Sequence, residues 1–369
     1  AYTFYGCTGL EEYDIVITFG NNNYMPFDTT SFDGSIKYIT IKGTPNIEKM
    51  PSFVDILSFQ TATGAILDIS QLSIEIQTSL MADTTLVNNA KAKGWTFRFN
   101  TFEIEANDTN GLTLTLAEHL IETFNDDGTT TTTLEGLAIT NWGDGTINKE
   151  LSHTYNEPGT YIVKTTLQPN NVNTDNYNKL IKKVINVRND ISNFCSFCAE
   201  CINMEQFSID NTIYPTDMGY MFYDCSSLTS IDMTKFDTTN TVYLDNLFSE
   251  CTSLSTIIGL ENLNVENVEN MSYTFENTSI TNIDLSKWDC KNITYIYGLF
   301  ENCEKLRSVD LTGWDILKLD DLGELFYNCY KLTSIKGIED WNTSNITNMN
   351  ATFAELRKIK TLDLSNWNV

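Results

Sequence analysis

MGYMFYDCSSLTSIDMTKFDTTNTV, residues 218–242, is a segment that the following stretch of chain repeats. Its anchor Phe222 returns as Phe248, Phe275, Phe300, Phe326 and Phe353, at spacings of 26, 27, 25, 26 and 27 residues. Four residues ahead of each anchor stands Met218, Leu244, Met271, Ile296, Leu322 or Met349. Three residues behind it stands Cys225, Cys251, Thr278, Cys303, Cys329 or Leu356. A fixed period of this length marks a solenoid, in which each coil contacts only its neighbours. Within one coil, Met218, Met221, Phe222 and Cys225 fall at i, i+3, i+4 and i+7, which predicts a short helix with one buried face. Ile231 and Met233 alternate with Asp232, which predicts a short strand. Phe236 and its counterparts Trp288, Trp314, Trp341 and Trp367 follow, and the Asp, Asn, Thr and Ser residues around them form the return turn.

The departures from period 26 have local causes. The two longer coils carry an added residue at Ile258-Gly259-Leu260 and Lys336-Gly337-Ile338, where a bulge or bend is expected. The shorter one has lost a residue between Asn277 and Ile280. A single coil cannot bury its own apolar face, so the Phe, Leu/Ile and Trp/Phe columns are the expected core.

These residues resemble the BspA-type leucine-rich repeats, also called the mycoplasma-lipoprotein repeat. That pattern runs M-x-x-M-F-x-x-C-x-x-L-x-x-I/L-D-L-S-x-W/F-D-T-S-N-V-T, and its second half recurs as LTSIKGIEDWNTSNITNM at residues 332–349. The resemblance covers roughly residues 194–369. It implies an α/β leucine-rich-repeat solenoid over residues 191–369, and the company of bacterial, phage and parasite surface proteins implicated in adhesion. It implies no catalytic residues.

Residues 1–100 carry a fainter version. Phe4, Cys7, Leu10, Tyr13 and Ile15 reproduce the Phe, +3, +6, +9 and +11 positions. A degenerate array with strands at residues 38–42 and 65–70 and a capping helix and strand at residues 86–97 is expected, a globular α+β domain being the alternative. Because residue 1 falls inside the pattern, the chain looks like an excerpt of something longer.

Between the arrays the texture changes to alternating segments at residues 101–105 and 112–116, and an Asp126-Asp127-Gly128 turn ahead of five threonines. Asn141-Trp142-Gly143-Asp144-Gly145, His153-Thr154-Tyr155 and Pro158-Gly159-Thr160-Tyr161-Ile162-Val163 follow in order. They resemble a PKD-type immunoglobulin-like domain, which implies an all-β sandwich over residues 101–190 serving as a spacer. Gly143 and Gly145 suit a tight turn, and Trp142 suits a core anchor.

The net charge of −26 disfavours nucleic acid as a partner and disfavours anionic membrane surfaces. No run reaches the roughly 18 apolar residues that direct membrane insertion needs. There are two histidines. His153 belongs to the sandwich motif and His119 stands alone, so no nucleophile–base pair is visible. Neither catalysis nor a cofactor is expected. Cys195, Cys198 and Cys201 would by themselves suggest zinc. In repeat register, however, Cys198 takes the anchor position and Cys201 opens the cysteine column. Buried thiols are therefore the leading reading, with a metal site or a local disulfide as alternatives. Cys225, Cys251, Cys303 and Cys329 read as small packing groups, because Thr278 and Leu356 fill equivalent places.

Two surfaces are candidates for binding. Tyr220, Tyr223, Tyr243, Tyr273, Tyr295, Tyr297, Tyr327 and Tyr330 all fall outside the inward positions, and exposed tyrosine favours protein interfaces and sugars. Asp232, Asp284, Asp310 and Asp363 line the outer side of the strands. Asp284 and Asp310 lie on adjacent coils, so that a cation or basic ligand can settle there unless solvent or the next turn satisfies them. The functional expectation is a non-enzymatic adhesion or receptor-binding module on a bacterial surface or phage particle, whose partner is a host-cell surface protein or glycan. The alternative is a structural stalk or assembly subunit of an extracellular fibre or virion appendage, bound to neighbouring subunits.

Overall fold

The computed structural model describes residues 15–19, 38–43, 65–72, 95–97, 100–107, 113–115, 120–124, 130–134, 140–148, 152–165, 179–187, 191–209 and 212–368. The chain falls into two compact units: residues 1–101 with 136–150 and 162–167, and residues 102–135 with 151–161 and 168–369.

In the first unit, strands Ile15–Phe19, Tyr38–Gly43, Ala65–Leu72 and Trp95–Phe97 form a parallel sheet in chain order. Ile15 pairs with Ile39, Tyr38 with Ile66 and Ala65 with Trp95. The strands expected at residues 38–42 and 65–70 are present; the helix expected from Leu86 and the repeat positions Phe4, Cys7, Leu10 and Tyr13 lie outside the described residues. The same unit holds the Thr140–Asn141 and Ile147–Asn148 hairpin. Its turn needs positive φ at Gly143 (88°) and Gly145 (96°). Trp142 N–H donates to the Thr146 carbonyl at 3.0 Å, and Thr146 N–H donates to Asp144 Oδ1 at 2.9 Å. The Trp142 ring is fully buried.

In the second unit, Ser152–Thr154 pairs antiparallel with Thr113–Thr115, and Leu120–Phe124 with Thr130–Leu134. Tyr155 is buried, with the Tyr161 ring stacked at 4.1 Å and the His153 ring edge-on at 4.8 Å. Tyr161 Oη donates back to the Glu157 carbonyl at 2.7 Å, which fixes that turn. Strand Ile181–Asn186 then pairs in parallel with Gln206–Phe207, the first strand of the repeat array. The array therefore starts on an existing strand edge, which covers backbone groups that would otherwise stay open.

The array itself departs from the expected α/β form. Among the described residues there is no α-helix; the segment 218–225 and its repeats are ladders of turns. Alternate N–H groups do two different things. Met218, Tyr220, Phe222 and Asp224 donate to the carbonyls of Tyr243, Asp245, Leu247 and Ser249 in the next coil, at 2.9–3.0 Å. Met221, Tyr223 and Cys225 close turns onto Met218, Tyr220 and Phe222, each at 3.1 Å. The turns closed by Met221 and Cys225 carry a positive φ at their third residue, Tyr220 (56°) and Asp224 (49°), as type II turns do. The same pair of positions is left-handed in later coils, at Asn246 and Glu250, Tyr273 and Asn277, Gly298 and Asn302. Asn tolerates that region well; other side chains enter it at roughly 1–2 kcal/mol each. The lateral hydrogen bonds to the next coil offset that cost.

The expected core is where the periodicity places it. Met218, Met221, Phe222 and Cys225 are all fully buried. The anchor rings stack as one column: Phe222–Phe248 at 5.7 Å, Phe248–Phe275 at 6.1 Å, Phe275–Phe300 at 5.6 Å, Phe300–Phe326 at 5.5 Å and Phe326–Phe353 at 6.0 Å. Each added residue is taken up by a left-handed glycine and a single 3-10 turn, Leu260–Asn262 after Gly259 and Ile338–Asp340 after Gly337, rather than by a bulge. Strands Ser230–Asp232 and Thr256–Ile258 pair in parallel, as do Asn282–Asp284, Ser308–Asp310 and Ser334–Lys336.

The tryptophan column separates two energetic cases. Trp288, Trp314 and Trp367 donate Nε1–H to the carbonyls of Leu260, Leu285 and Ile338 in the preceding coil, at 3.0, 3.0 and 2.7 Å. Trp341, which follows the added Gly337, is equally buried but its Nε1–H has no partner. An unsatisfied buried donor costs about 1–3 kcal/mol, whereas a made bond contributes about 0.5–1.5. Trp341→Phe is therefore predicted to destabilise less than Trp314→Phe by about 1–3 kcal/mol; equal denaturation midpoints for the two variants would refute this.

Candidate functional site

The turn ladders put a regular set of side chains on one face of the second unit. Tyr220, Tyr223, Tyr273, Tyr297 and Tyr327 stand there with Asp224, Glu250, Glu276, Glu301 and Glu324 between them. Tyr220, Asp224, Glu250, Tyr273 and Glu324 occupy left-handed positions, and the Phe column stays inside. Tyr220 and Tyr223 meet edge to face at 5.7 Å, and Tyr273 and Tyr297 at 5.5 Å. Glycines of the next coil make room for the second pair. A Cβ on Gly298 would lie 2.5 Å from Tyr273 Cε1 and 3.1 Å from Glu301 Oε2, and one on Gly323 would lie 2.7 Å from Tyr297 Cε2. Tyr273 and the Glu301 carboxylate therefore converge over Gly298.

Hydrogen bonds tie the coils together across this face. Ser249 Oγ donates to Glu276 Oε2 at 2.5 Å, Asn277 Nδ2 to Glu250 Oε2 at 2.7 Å, and Asn328 Nδ2 to Asn302 Oδ1 at 2.8 Å. The segments 218–225, 244–251, 271–278, 296–303 and 322–329 contain no Lys or Arg, so no side chain of these segments neutralises the carboxylates. Partial burial, followed by the proximity of Glu324 and Glu276, pushes the Glu301 carboxyl up to about 7. Burial, then the charges of Glu250 and Glu200, raises Asp224. Burial and the Glu324 carboxylate raise Tyr297.

This arrangement predicts a pH dependence. A carboxyl whose folded value lies near 7, above its ordinary 4.5, favours the folded state when protonated. That stability is fully present below the ordinary value and is lost as pH rises through about 7. Glu301→Gln should therefore raise the melting temperature at pH ~8 and flatten its fall between pH ~5 and ~8. A wild-type melting curve that stays level over that range would argue against it.

The other residues singled out from sequence lie elsewhere. Tyr243 and Tyr295 are exposed, at 44% and 59%, in a separate bridged column formed with Asp217 and Asn270. Tyr330 carries the Arg357 guanidinium 4.5 Å above its ring. Asp284 and Asp310 are direct register partners on neighbouring strands. Each caps its own turn: Asp284 Oδ1 accepts from Ser286 N–H (3.0 Å) and Oγ (2.6 Å), and Asp310 Oδ1 from Thr312 N–H (3.1 Å) and Oγ1 (2.6 Å). Lys336 pairs with Asp310 at 3.2 Å. The hydroxyl bonds hold both carboxyls below the usual carboxylate range. The glutamates of the turn face were not singled out from sequence; the absence of Lys and Arg from five successive turn segments was the available signal.

The described cysteines are free thiols, all buried except the half-buried Cys195. Cys225, Cys251, Cys303 and Cys329 donate to the carbonyls of Cys198, Phe222, Phe275 and Phe300 in the preceding coil, at 2.9–3.1 Å. Thr278, at the equivalent place, instead donates its hydroxyl within its own coil, to the Phe275 carbonyl at 2.9 Å. The column thus works as weak donors as well as packing groups. Among the described residues, no group of three or more His, Cys, Asp or Glu side chains converges to hold a metal ion.

Residues 216–335 and 298–369 match a family model described as "Mycoplasma protein of unknown function, DUF285". No curated protein matches the chain. Among solved structures, the chain is similar to a leucine-rich repeat protein from Bacteroides ovatus ATCC 8483, with 16% identity and a TM-score of 0.29. That similarity covers 50% of this chain and 47% of the other, so the chain spans about half the length of the structure it matches. The family match falls on the coils from Met218 onward, and it supports their reading as leucine-rich repeats of the BspA-like kind.

Proposed function

We propose that this chain is a non-enzymatic adhesion or receptor-binding module, displayed on a bacterial surface or a phage particle. In this reading residues 191–369 are the binding array, residues 101–190 an immunoglobulin-like spacer and residues 1–100 an earlier array. The observation that carries it is the turn face. Repeated left-handed positions hold tyrosines and carboxylates in columns on a backbone hydrogen-bonded from coil to coil. Such a rigid, polar and aromatic surface suits recognition of a protein or glycan. No helix among the described residues is long and apolar enough to cross a membrane.

The test is binding of the labelled chain to host cells and to a glycan array, with a Tyr220→Ser, Tyr223→Ser, Tyr273→Ser variant beside it. Binding that the triple variant loses, with its melting temperature kept, supports the reading. Unchanged binding by the variant removes the turn face from it. A second reading, a stalk or assembly subunit, is favoured by the way each coil bonds only to its neighbours. Ordered self-association in sedimentation, without cell or glycan binding, would support that reading instead.

A further inference from the structure

We propose that the turn face is a docking surface for an arginine-bearing segment of a partner protein, with each guanidinium held between a tyrosine of one coil and a carboxylate of the next. This deepens the interaction-module reading and rests on it. The protein contains one filled example. Arg357 lies 4.5 Å over the Tyr330 ring and donates Nε–H and Nη2–H to Glu355 Oε2 at 3.1 and 2.9 Å. Tyr330 belongs to the Phe326 coil and Glu355 to the Phe353 coil, so the tyrosine and the carboxylate come from neighbours.

Further up the array, at other positions of the repeat, tyrosines again stand one coil before a carboxylate, where the turn segments supply no cation. Tyr273 and Glu301 converge over Gly298. Tyr297 lies against Gly323 of the Glu324 coil, and Tyr223 lies one coil before Glu250, whose charge it feels. These three pairs sit in the turn segments that contain no Lys or Arg. Their carboxylates are crowded by one another: Glu301 is raised by both Glu324 and Glu276. A bound cation would relieve that repulsion. Tyrosine next to carboxylate selects a guanidinium over an ammonium, because the planar group stacks on the ring while its N–H fork engages the carboxylate.

The experiment uses the full chain and three fluorescently labelled synthetic peptides of equal length, with alternating serine and either arginine, lysine or citrulline, read by anisotropy at about 150 mM salt. The arginine peptide is expected to bind at least about tenfold more tightly than the lysine peptide, and the citrulline peptide not to bind. Glu301→Gln with Glu324→Gln should weaken arginine-peptide binding about tenfold, as should Tyr273→Leu with Tyr297→Leu. Asp284→Asn with Asp310→Asn should leave it unchanged. Arginine and lysine peptides of equal affinity, or binding indifferent to the tyrosine variants, would overturn the proposal in favour of unspecific charge attraction. Cell or glycan binding that survives Glu301→Gln with Glu324→Gln would overturn it while leaving the interaction module standing. Absence of both peptide and cell binding would remove the two together.

Discussion

Phe300→Ala is expected to destabilise the repeat array by about 3–5 kcal/mol, the range for truncating a buried aromatic side chain. Phe300 is 1% exposed, and its ring is stacked between Phe275 at 5.6 Å and Phe326 at 5.5 Å, with interplanar angles of 6° and 5°. Its removal opens a cavity in the middle of the column. The coils cannot close in to fill it, because their separation is set by the lateral hydrogen bonds Phe300 N–H to Leu325 O and Asn302 N–H to Tyr327 O. Stability in a stacked array is carried by interfaces between neighbours, and this substitution damages two of them. Phe353→Ala, with one stacked Phe neighbour and a half-buried ring, should cost less. Chemical denaturation of both variants checks the order, and a midpoint for Phe300→Ala close to wild type would sink the stacked-ring account.

Gly337→Ala should be nearly as damaging. Gly337 has φ of 92°, and an added Cβ would lie 2.4 Å from both Leu311 C and Thr312 N. The left-handed backbone costs about 1–2 kcal/mol for an L-residue, and forcing the overlap apart adds a further ~1–3 kcal/mol. The colliding atoms are backbone and cannot swing aside. They are also tied to the glycine's own coil, since Leu311 N–H donates to the Lys336 carbonyl at 2.9 Å. Gly313→Ala is the control: φ is 86°, but its nearest atom is the Ser286 carbonyl oxygen at 3.9 Å. Only the backbone cost applies there, so thermal unfolding should place Gly313→Ala between wild type and Gly337→Ala. Equal losses for the two would show that overlap plays no part.

Both expectations depend on relations between coils, and that is where reading the chain alone reached its limit. The spacing of Met218, Met221, Phe222 and Cys225 identified the buried face correctly, yet it is shared by a helix and by a ladder of turns. What separates the two is the destination of alternate N–H groups. A helix sends them to residue i−4; here half go to the next coil. The needed partner lies about 25 residues away, and no pattern within one coil reports it. The same limit applied to the turn face. The tyrosines were visible one by one, but Tyr273 meets Glu301 only because Gly298 leaves the space between them.

The sequence by itself determined the period, the Phe and Trp columns, the cysteine column, and the points where one residue is added or lost. It could do so because burial in a repeating coil demands apolar side chains at fixed positions, whatever the backbone does between them. Only the tertiary structure decided that the apolar segment is built of left-handed turns. It alone aligned tyrosine with carboxylate across neighbouring coils, and it alone started the array on the strand Ile181–Asn186. The physical reason is common to all three. Backbone hydrogen bonding in this array is largely lateral, so conformation is settled by the neighbour a coil stacks on and not by its own residues.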